Sequence, residues 1–445
     1  MKIILEKNKI FRLAIGAQTK KVNNCRFLKY LLFEKVDDGL LILNILTKEL
    51  IHLNKLEIED LEKNLFYDSE LVKYLIQNWF LVDQNFDEEI LYNQLLQIYR
   101  NLSKKDPNKY TIITTTDCNA RCFYCYQYDM QKLNMSEYVA NKAADYIIKN
   151  SAKNNIHISW FGGEPLFNIL PIDIISNKLN EAGISFTSST ISNGYLFDNE
   201  IIKKAINLWK LKKVQITLDG TEKVYNKCKS YIYSDSNPFQ RVISNINNLT
   251  NNGIKVAIRL NLGLHNYDNI IELVNLLVNI FTGNQNIHIY PHLLFENVGK
   301  LPKIYTEEES QFLYQKLYQI EKVIEENALC EISPLTNKFK QNACMANDDR
   351  SYVITPNGSL AKCENIITTD LCGDIFENKI DFKKIESMSE RIFFKLCDSC
   401  PLLPHCINLK ICPTKKVECN YYEQNYRIRK IKQCMKITYE NWLRQ

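Results

Sequence analysis

Six apolar, β-branched segments alternate with helical patterns between residues 110 and 294, and this alternation limits the fold more than any other feature of the chain. The helical patterns include Glu137–Asn150 and Phe239–Asn251. The candidate strands are Tyr110–Thr115, Ile156–Phe161, Ser185–Ser192, Lys213–Asp219, Lys255–Asn261 and Ile287–Leu294. Parallel strands joined by crossover helices predict an α/β fold with a partial, TIM-like (β/α)6 barrel. The chemistry of such a barrel lies at the carboxyl ends of its strands.

The region before the barrel, residues 1–105, predicts a small separate domain. Two β-compatible runs, Phe27–Glu34 and Leu40–Leu46, flank Asp37-Asp38-Gly39, which is typical of a hairpin turn. Two helical patterns and a short strand at Trp79–Val82 follow. We interpret this region as a winged-helix-like domain. The region contains no group of residues typical of an active site, so we expect it to be a binding module and not a catalytic domain.

The barrel is assigned to residues 106–300 and a third domain to residues 301–445. The third domain begins with a helical pattern at 301–326, becomes rich in cysteine and ends in a long helix. Residues 401–445 contain nine Lys or Arg and three Glu, although the whole chain has a net charge of only +5. We interpret these basic residues as a solvated helix face in preference to a nucleic-acid site.

Composition excludes several classes of protein. The chain is 45% hydrophobic and 24% charged with only 13 Gly and 11 Pro, which excludes a disordered or fibrous protein. No stretch approaches the roughly 18 apolar residues of a membrane span. Charged residues interrupt the first segment before a signal-peptide core forms. These features predict a cytoplasmic protein without a membrane partner.

Twelve of the fifteen cysteines form two groups that predict two metal-rich regions, and Cys25, Cys228 and Cys330 lie outside them. Three lie at Cys118, Cys122 and Cys125, and nine lie between Cys344 and Cys434. A cytosolic chain keeps its thiols reduced and more often uses clustered cysteines to hold metal than to form disulfides.

The first group follows the first predicted barrel strand. Three thiolates at spacings of three and two residues can hold three irons of a four-iron, four-sulfur cluster and leave the fourth iron open to a ligand. A zinc knuckle is the alternative, but a structural zinc site normally has four protein ligands, and no His or fourth Cys lies nearby in the sequence.

The Cys118-x3-Cys122-x2-Cys125 motif, with Tyr124 before its last cysteine, resembles that of the radical S-adenosylmethionine (SAM) enzymes. The resemblance implies a cluster that reduces SAM to a 5'-deoxyadenosyl radical, which abstracts hydrogen from a substrate. Trp-Phe-Gly-Gly-Glu-Pro at the end of the second strand resembles the family segment that binds the methionine amino group. The residues implied there are Gly162, Gly163 and Glu164.

Polar residues at the next three strand ends extend the resemblance. Family segments that line SAM correspond to Ser192, Asn193, Thr217 and Asp219. Arg259 and Asn261 alternate inward on the fifth strand, where they could bind a carboxylate and ribose hydroxyls. Each of these residues has a structural alternative as a satisfied polar group of the barrel mouth. Lys229 stands where an Arg is frequent, which removes a bidentate donor.

The second cysteine group resembles the SPASM extension, which carries two auxiliary iron-sulfur clusters. Cys344-x13-Gly358-x4-Cys363 is followed by Cys397-x2-Cys400-x5-Cys406. The usual next cysteine, which precedes a proline, falls two residues late. The ligands implied for one cluster are Cys344, Cys363 and Cys412, with the fourth iron open to a substrate thiolate or capped by Cys330 or Cys372. Those implied for the other are Cys397, Cys400, Cys406 and either Cys419, which we prefer, or Cys434.

The resemblance therefore implies three four-iron clusters, SAM and an external electron donor such as a flavodoxin or ferredoxin. A zinc ribbon is the alternative for the C-terminal cysteines. The segment at residues 37–50 resembles the leader-recognition domain of peptide maturases. We predict an enzyme, an oxidoreductase that installs a thioether or carbon-carbon crosslink in a ribosomally made precursor peptide, whose leader adds a strand to the N-terminal sheet.

Three other functions stay open at this point. One is an enzyme that generates formylglycine in a sulfatase. Another is a metal-stabilised peptide-binding protein without radical chemistry. The third is a nucleic-acid modifier guided by the basic tail, which a steep salt dependence of RNA binding would support.

Overall fold

The protein is described by a computed structural model of all 445 residues. The structure describes residues 1–18, 24–63, 69–102, 106–151, 155–234, 237–294, 297–298, 301–338, 344–406, 409–412 and 419–445.

The N-terminal region contains a four-stranded antiparallel sheet in the order β1-β5-β4-β3 and a two-stranded sheet of β2 and β6. The strands are β1 (Lys2–Leu5), β2 (Cys25–Phe27), β3 (Leu31–Val36), β4 (Gly39–Asn44), β5 (Leu50–Asn54) and β6 (Leu81–Asp83). The helices are α1 (Lys9–Ala14), α2 (Lys55–Lys63), α3 (Glu70–Gln77) and α4 (Glu88–Leu102).

The predicted hairpin at Asp37-Asp38-Gly39 joins β3 to β4, with Val36 opposite Gly39. Two other predictions for this region are wrong in detail. The predicted strand Phe27–Glu34 is divided, because Leu28 donates its N–H to the Phe80 carbonyl and the chain turns before β3. The predicted strand at Trp79–Val82 begins later, since Trp79 has a φ of 63°, and it pairs with β2.

Six parallel strands form the barrel sheet in the order β12-β11-β10-β9-β8-β7. The strands are β7 (Lys109–Thr115), β8 (Ile156–Gly162), β9 (Phe186–Ser192), β10 (Leu211–Leu218), β11 (Lys255–Leu262) and β12 (Ile287–Leu293). The intervening helices are α5 (Glu137–Asn150), α6 (Leu170–Glu181), α7 (Asn199–Asn207), α8 (Glu222–Lys229), α9 (Pro238–Asn251) and α10 (Tyr267–Phe281). Side-chain caps begin several helices; Ser136 accepts from the Val139 N–H and Asp198 from the Ile201 N–H. All six strands were predicted.

The C-terminal region extends the barrel sheet instead of forming its own. Strand β15 pairs in parallel with β7, and β16, β17 and β18 continue the sheet beyond it. Within the described residues, this sheet ends at β12 on one side and at β18 on the other, which agrees with a partial barrel. The elements are β13 (Asn297–Val298), β14 (Leu301–Pro302), α11 (Glu307–Glu326), β15 (Ser351–Ile354), β16 (Ser359–Ala361), β17 (Leu371–Asp374), β18 (Lys379–Ile380), α12 (Phe382–Met388) and α13 (Tyr421–Leu443).

The N-terminal sheet and the end of the chain share one hydrophobic core. Met435 and Tyr439 of α13 are buried in it together with Leu402 and Leu403, which lie between two predicted cluster ligands. A separate core fills the barrel and its helices. The N-terminal region therefore depends on distant C-terminal segments for its packing.

Helix α13 crosses the N-terminal sheet with its basic side chains in ion pairs. Lys432 and Lys436 lie 3.2 and 2.8 Å from Glu34 on β3. Arg429 and Lys430 lie 2.7 and 3.3 Å from Glu321 on α11. These ion pairs link α13 to both β3 and α11. The interpretation of the basic residues as a solvated helix face is therefore wrong for these four side chains. Within the described ranges, no helix combines the length and the hydropathy needed to cross a membrane.

Candidate functional site

The loop after β7 gathers the first three cysteines around one cavity. Cys118, Cys122 and Cys125 line a cavity of about 280 Å³. None of the three thiols is in a disulfide. The other residues that line the cavity are Thr116, Ala120, Arg121, Gln127, Tyr128, Lys132 and Gly163. The cavity and its thiol donors fit an iron-sulfur cluster.

Gly162 and Gly163 allow β8 to approach the cysteine loop. A Cβ on Gly162 would overlap the Thr115 carbonyl oxygen, and one on Gly163 would overlap that of Asp117. Gly162 also has a φ of 151°, which favours glycine. The Gly163 and Glu164 N–H groups donate to the Thr115 and Asp117 carbonyls at 3.0 and 2.9 Å. The two glycines therefore seat Glu164 beside the loop.

Glu164 is fully buried and accepts hydrogen bonds from its neighbours. The Ser192 hydroxyl donates to it at 2.9 Å and the Asn193 backbone N–H at 2.8 Å. Burial raises the pKa of Glu164 to about 7, although the hydrogen bonds from Asn193, Leu166 and Ser192 oppose that shift. Asn193 also donates from Nδ2 to Asn119 Oδ1 in the cysteine loop at 2.6 Å. The ends of β8 and β9 thus form a carboxylate site next to the thiols.

A second polar group lies at the ends of β10 and β11. Asp219 Oδ1 accepts from the Tyr124 hydroxyl at 2.8 Å and from Asn261 Nδ2 at 2.9 Å. Lys229 Nζ lies 3.0 Å from Asp219 Oδ2 and donates to the Tyr124 hydroxyl at 3.1 Å. Asn266 Nδ2 donates to the Asp219 carbonyl. Tyr124 in the cysteine loop is thereby tied to the strand ends.

Buried polar atoms near these groups favour a polar ligand. Asn261 Oδ1 and Asn119 Nδ2 are buried without a hydrogen-bond partner in the part of the chain that the structure describes. Arg259 Nη2 lies 3.1 Å from His292 Nδ1. Burial lowers the pKa of Arg259. Thr217 lies opposite Arg259 in the paired strands. The donors and acceptors of this region fit the polar parts of SAM.

The sequence interpretation did not assign a site role to Lys229 or Asn266. At position 229 this chain has Lys where the family often has Arg, and the sequence indicated only that a bidentate donor is lost. The structure brings its ammonium group to Asp219, although the residues are ten apart and on different elements. Asn266 belongs to none of the motifs named in the sequence, and only its position after β11 could have suggested a role at the site. Both residues organise Asp219 through contacts that only the fold supplies.

Three C-terminal thiols lie near one another. Burial raises the pKa of Cys363 to about 12, and the charges of Glu364, Cys344 and Cys412 add to the shift. Burial also raises the pKa of Cys344, with additions from Cys412 and Glu364. These charge interactions support a common site for the thiols at 344, 363 and 412.

A second C-terminal group contains Cys397, Cys400 and Cys406. Burial raises the pKa of Cys397, and the charges of Cys406 and Cys400 add to it. Arg427 Nη1 lies 3.4 Å from Cys406 Sγ, and the charge of Cys419 also acts on this guanidinium. Cys419 therefore lies near this group, and the choice of Cys419 over Cys434 stays a prediction. Cys434 lies on α13, with its carbonyl bonded to the Thr438 hydroxyl.

Within the described residues, no three His, Cys, Asp or Glu side chains converge closely enough to hold a single metal ion. A four-iron cluster is larger than one ion, and each of its irons takes a separate protein ligand. The lack of a three-ligand mononuclear site among these residues therefore does not exclude a cluster at the thiol groups.

Residues 112–277 match the family model of the radical SAM superfamily. The chain contains a radical SAM domain. This finding confirms the predicted superfamily and enzyme class, and the superfamily implies SAM and one four-iron cluster.

Curated relatives match parts of the chain. A probable GTP 3',8-cyclase of Methanocaldococcus jannaschii is 28% identical over 241 residues, 52% of this chain and 70% of that protein. A cysteine-type anaerobic sulfatase-maturating enzyme of Clostridium novyi is 29% identical over 154 residues, 30% of this chain. This chain spans only 37% of the latter protein, and 41% of an uncharacterized protein of M. jannaschii that is 32% identical over 122 residues.

Solved structures show the same fold over most of the chain. Streptococcus suis SuiB aligns with a TM-score of 0.52 at 15% identity, covering 89% of this chain and 97% of SuiB. SuiB has also been solved with the precursor peptide SuiA. The structure of anSMEcpe with AdoMet and the Kp18Cys peptide aligns with a TM-score of 0.53 at 15% identity, covering 75% of this chain and 99% of that one. The predicted fold class is confirmed.

Proposed function

We propose that the chain is a radical SAM peptide maturase that installs a thioether or carbon-carbon crosslink in a ribosomally synthesised precursor peptide. The observation that carries this proposal is the N-terminal sheet with an edge strand, whose core is shared with the C-terminal helix. The SuiB fold covers more of the chain than the anSMEcpe fold does, which supports the same conclusion.

Each group at the barrel mouth has a proposed task. Cys118, Cys122 and Cys125 hold three irons of the barrel cluster, and Glu164 accepts the methionine ammonium group. Asp219 and Asn261 bind other polar groups of SAM, while Lys229 holds Asp219 and Tyr124 in place. When bound, the cluster and SAM supply a 5'-deoxyadenosyl radical that abstracts hydrogen from the peptide.

The C-terminal thiols are proposed to hold two auxiliary clusters, which brings the total to three. An external donor, a flavodoxin or ferredoxin, supplies electrons in the cytoplasm. A zinc ribbon would instead give persistent zinc with about four iron per chain, against about twelve for three clusters. Metal analysis of anaerobically reconstituted protein separates these outcomes.

The leader of the precursor is proposed to pair with the outer edge of β3. The Ile45 N–H donates to the Tyr30 carbonyl, and Val36 lies opposite Gly39 at the hairpin. Backbone groups alternate along an antiparallel pair, so those of Leu31, Phe33 and Lys35 point away from β4. Pairing of a peptide strand with these groups would provide affinity through the main chain.

A proline at Lys35 tests this edge without disturbing the β3–β4 ladder. Lys35→Pro removes one outward N–H, and we expect a roughly tenfold weaker Kd for a leader peptide, about 1.4 kcal/mol, measured by fluorescence anisotropy. Lys35→Ala is the matched control and should bind the leader normally. Equal leader affinity of both variants would exclude β3 as the binding edge. Deletion of residues 1–105 is a poorer test, since it exposes the shared core.

Formylglycine generation is the second candidate, favoured by the match to the sulfatase-maturating enzyme. Mass spectrometry of the treated peptide distinguishes the two. A crosslink removes only two hydrogen atoms from the peptide, whereas conversion of cysteine to formylglycine removes two hydrogen atoms and also replaces sulfur by oxygen. The precursor for this test is to be sought as a short open reading frame in the genomic neighbourhood. Oxidation of a sulfatase-type cysteine in place of a crosslink would overturn the peptide-maturase assignment.

A further inference from the structure

Helix α13 contacts two regions of the molecule to which the proposed function gives separate tasks. Lys432 and Lys436 lie 3.2 and 2.8 Å from Glu34 on β3, the proposed leader-binding strand. Arg427, nine residues before Lys436 and about 14 Å away along the helix, donates from Nη1 to Cys406 Sγ at 3.4 Å. One continuous helix therefore joins β3 to a thiol of the second C-terminal group.

The loop that carries these thiols also lies against the N-terminal sheet. Lys48 Nζ, in the turn between β4 and β5, lies 3.1 Å from His405 Nδ1. Leu402 is buried in the core of that sheet, and Cys397 and Cys400 pack against the same core. The second thiol group is therefore in contact with both the sheet and the helix that crosses it.

The hydrogen bond from Arg427 to Cys406 depends on the position of α13. A bond between a guanidinium group and a thiolate is charge-assisted, and its strength falls with poorer distance and alignment. Glu423, one turn earlier on α13, forms an ion pair with Arg427 and holds the guanidinium group to the helix. A displacement of α13 on β3 would therefore move the Arg427 donor away from Cys406.

We propose that α13 couples leader binding at β3 to metal binding at the second C-terminal thiol group. The inference rests on the proposed leader site and the proposed auxiliary clusters. A leader paired with β3 orders the strand that carries Glu34, and Glu34 holds α13 where Arg427 donates to Cys406. Metal at the thiols orders the same contact from its other end, so each ligand lowers the ordering cost for the other. By linkage, the two affinities change by the same factor.

Iron release to a chelator tests this coupling without a peptide. The full-length parent chain carries Cys118→Ala, Cys122→Ala and Cys125→Ala, so that only the C-terminal thiols hold iron. Glu34→Gln removes the partner of the two lysines, and we expect roughly fivefold faster iron release, the lower end of common coupling factors. Glu440→Gln, at an exposed position of α13, is the matched control and should release iron at the parental rate.

Arg427→Gln distinguishes transmission through the helix from a general loss of stability. This variant should release iron at least as fast as Glu34→Gln, and adding Glu34→Gln to it should cause no further increase, because both changes interrupt one path. Additive effects, or equal rates in Glu34→Gln and Glu440→Gln, would overturn the coupling. If Glu34→Gln does not fold, Lys432→Gln together with Lys436→Gln removes the same ion pairs from the helix side.

A synthetic peptide with the leader sequence of the precursor provides the second measurement. At saturation it should slow iron release roughly fivefold in the parent chain and have no effect in Arg427→Gln. A leader that binds in the anisotropy assay but leaves iron release unchanged would overturn the coupling and leave the proposed function intact. Absence of leader binding would overturn the proposed leader site and the coupling together, and persistent zinc would do the same for the auxiliary clusters and the coupling.

Discussion

The two thiol-bearing regions of the molecule are built in opposite ways. The barrel cysteines come from one loop, Cys118 to Cys125, and the strand ends of β7, β8 and β10 hold that loop. The C-terminal cysteines are spread over residues 344–434 on several separate segments. Leu402 and Leu403, between two of these cysteines, are part of the core of the N-terminal sheet.

Because of this difference, we expect substitutions in the barrel loop to affect mainly catalysis and substitutions in the second C-terminal loop to affect mainly the stability of the N-terminal region. The barrel loop is bound to rigid strand ends by hydrogen bonds, so its alteration should remove the chemistry with little effect on the N-terminal fold. The second C-terminal loop packs into another region, so its alteration should also loosen that region. The comparison therefore predicts different consequences for the same kind of substitution in the two regions.

The largest expected effect is the loss of SAM cleavage without the barrel thiols. Replacing Cys118, Cys122 and Cys125 by Ala should reduce 5'-deoxyadenosine formation to the background level, because no thiolate is left to hold the cluster. The product is measured by chromatography after anaerobic reconstitution and reduction.

The matched variant replaces Cys397, Cys400 and Cys406 by Ala. It should retain SAM cleavage in the absence of peptide, but its N-terminal region should unfold at lower temperature. If the barrel variant keeps forming 5'-deoxyadenosine, the assignment of the chemistry to the barrel loop is wrong. If both variants lose SAM cleavage equally, the proposed separation of the two regions is wrong.

Glu164→Gln should have the next largest effect. Loss of the negative charge should weaken SAM binding by about 1.5 to 3 kcal/mol, roughly 10- to 100-fold in Kd, because hydrogen bonds to charged groups have this magnitude. Equilibrium dialysis with labelled SAM measures the change. Glu181→Gln, on the exposed end of α6, is the control and should bind normally.

The same carboxylate predicts a pH dependence. Burial raises the pKa of Glu164 to about 7, so the carboxyl group loses its charge as the pH falls through 7. SAM affinity should then fall roughly tenfold from pH 8 to pH 6, since an ammonium group needs the ionised partner. The Gln variant should show no such dependence. A pH-independent affinity in the unmodified protein would exclude Glu164 as the partner of the ammonium group.

The barrel was predictable because its signals are local. The six predicted strands agree with the observed strands within two residues at each end. The cysteine spacing and the Gly-Gly-Glu segment lie within short stretches, and strand ends bring them together. The sequence assigned Gly162 and Gly163 only to the segment that binds the methionine amino group. The structure shows that they also allow β8 to approach the backbone of Thr115 and Asp117.

The long-range contacts were not predictable. Nothing in the local sequence indicates that Leu402 packs under the N-terminal sheet or that Glu34 pairs with α13. Strands β1 and β5 and helix α1 were missed because segments of four to six residues give weak periodicity, and the 15-residue helix α4 was missed as well. The contacts of Leu402 and Glu34 join segments that are hundreds of residues apart in the chain, which a local sequence pattern does not encode.

Leu402→Ala should reveal the shared core as a loss of stability. The side chain is 5% exposed, and its truncation should cost about 2 to 4 kcal/mol of unfolding free energy through lost burial and the cavity left behind. Urea unfolding measures the cost. Leu443→Ala, at a side chain that is 55% exposed, should cost less than about 0.5 kcal/mol. Equal costs would show that the loop does not contribute to the N-terminal core.

The smallest expected effect concerns the contact between α13 and the β3–β4 turn. The Tyr439 hydroxyl donates to Asp38 Oδ2 at 2.6 Å, and the Tyr439 ring stacks on His52 of β5. Tyr439→Phe keeps the ring and removes only the donor, so we expect a loss of about 1 kcal/mol, measured by urea unfolding at neutral pH.

The pH dependence of that loss identifies its cause. The hydrogen bond from Tyr439, followed by the charge of His52, holds the pKa of Asp38 below its usual value, although the small effect of burial opposes this. A depressed carboxyl pKa contributes stability above the unfolded pKa, and that stability is lost as the pH falls through the folded pKa. The difference between Tyr439→Phe and the unmodified protein should therefore shrink under acid conditions that protonate Asp38. A constant difference at all pH values would assign the loss to repacking of the ring and not to the hydrogen bond with the Asp38 carboxylate.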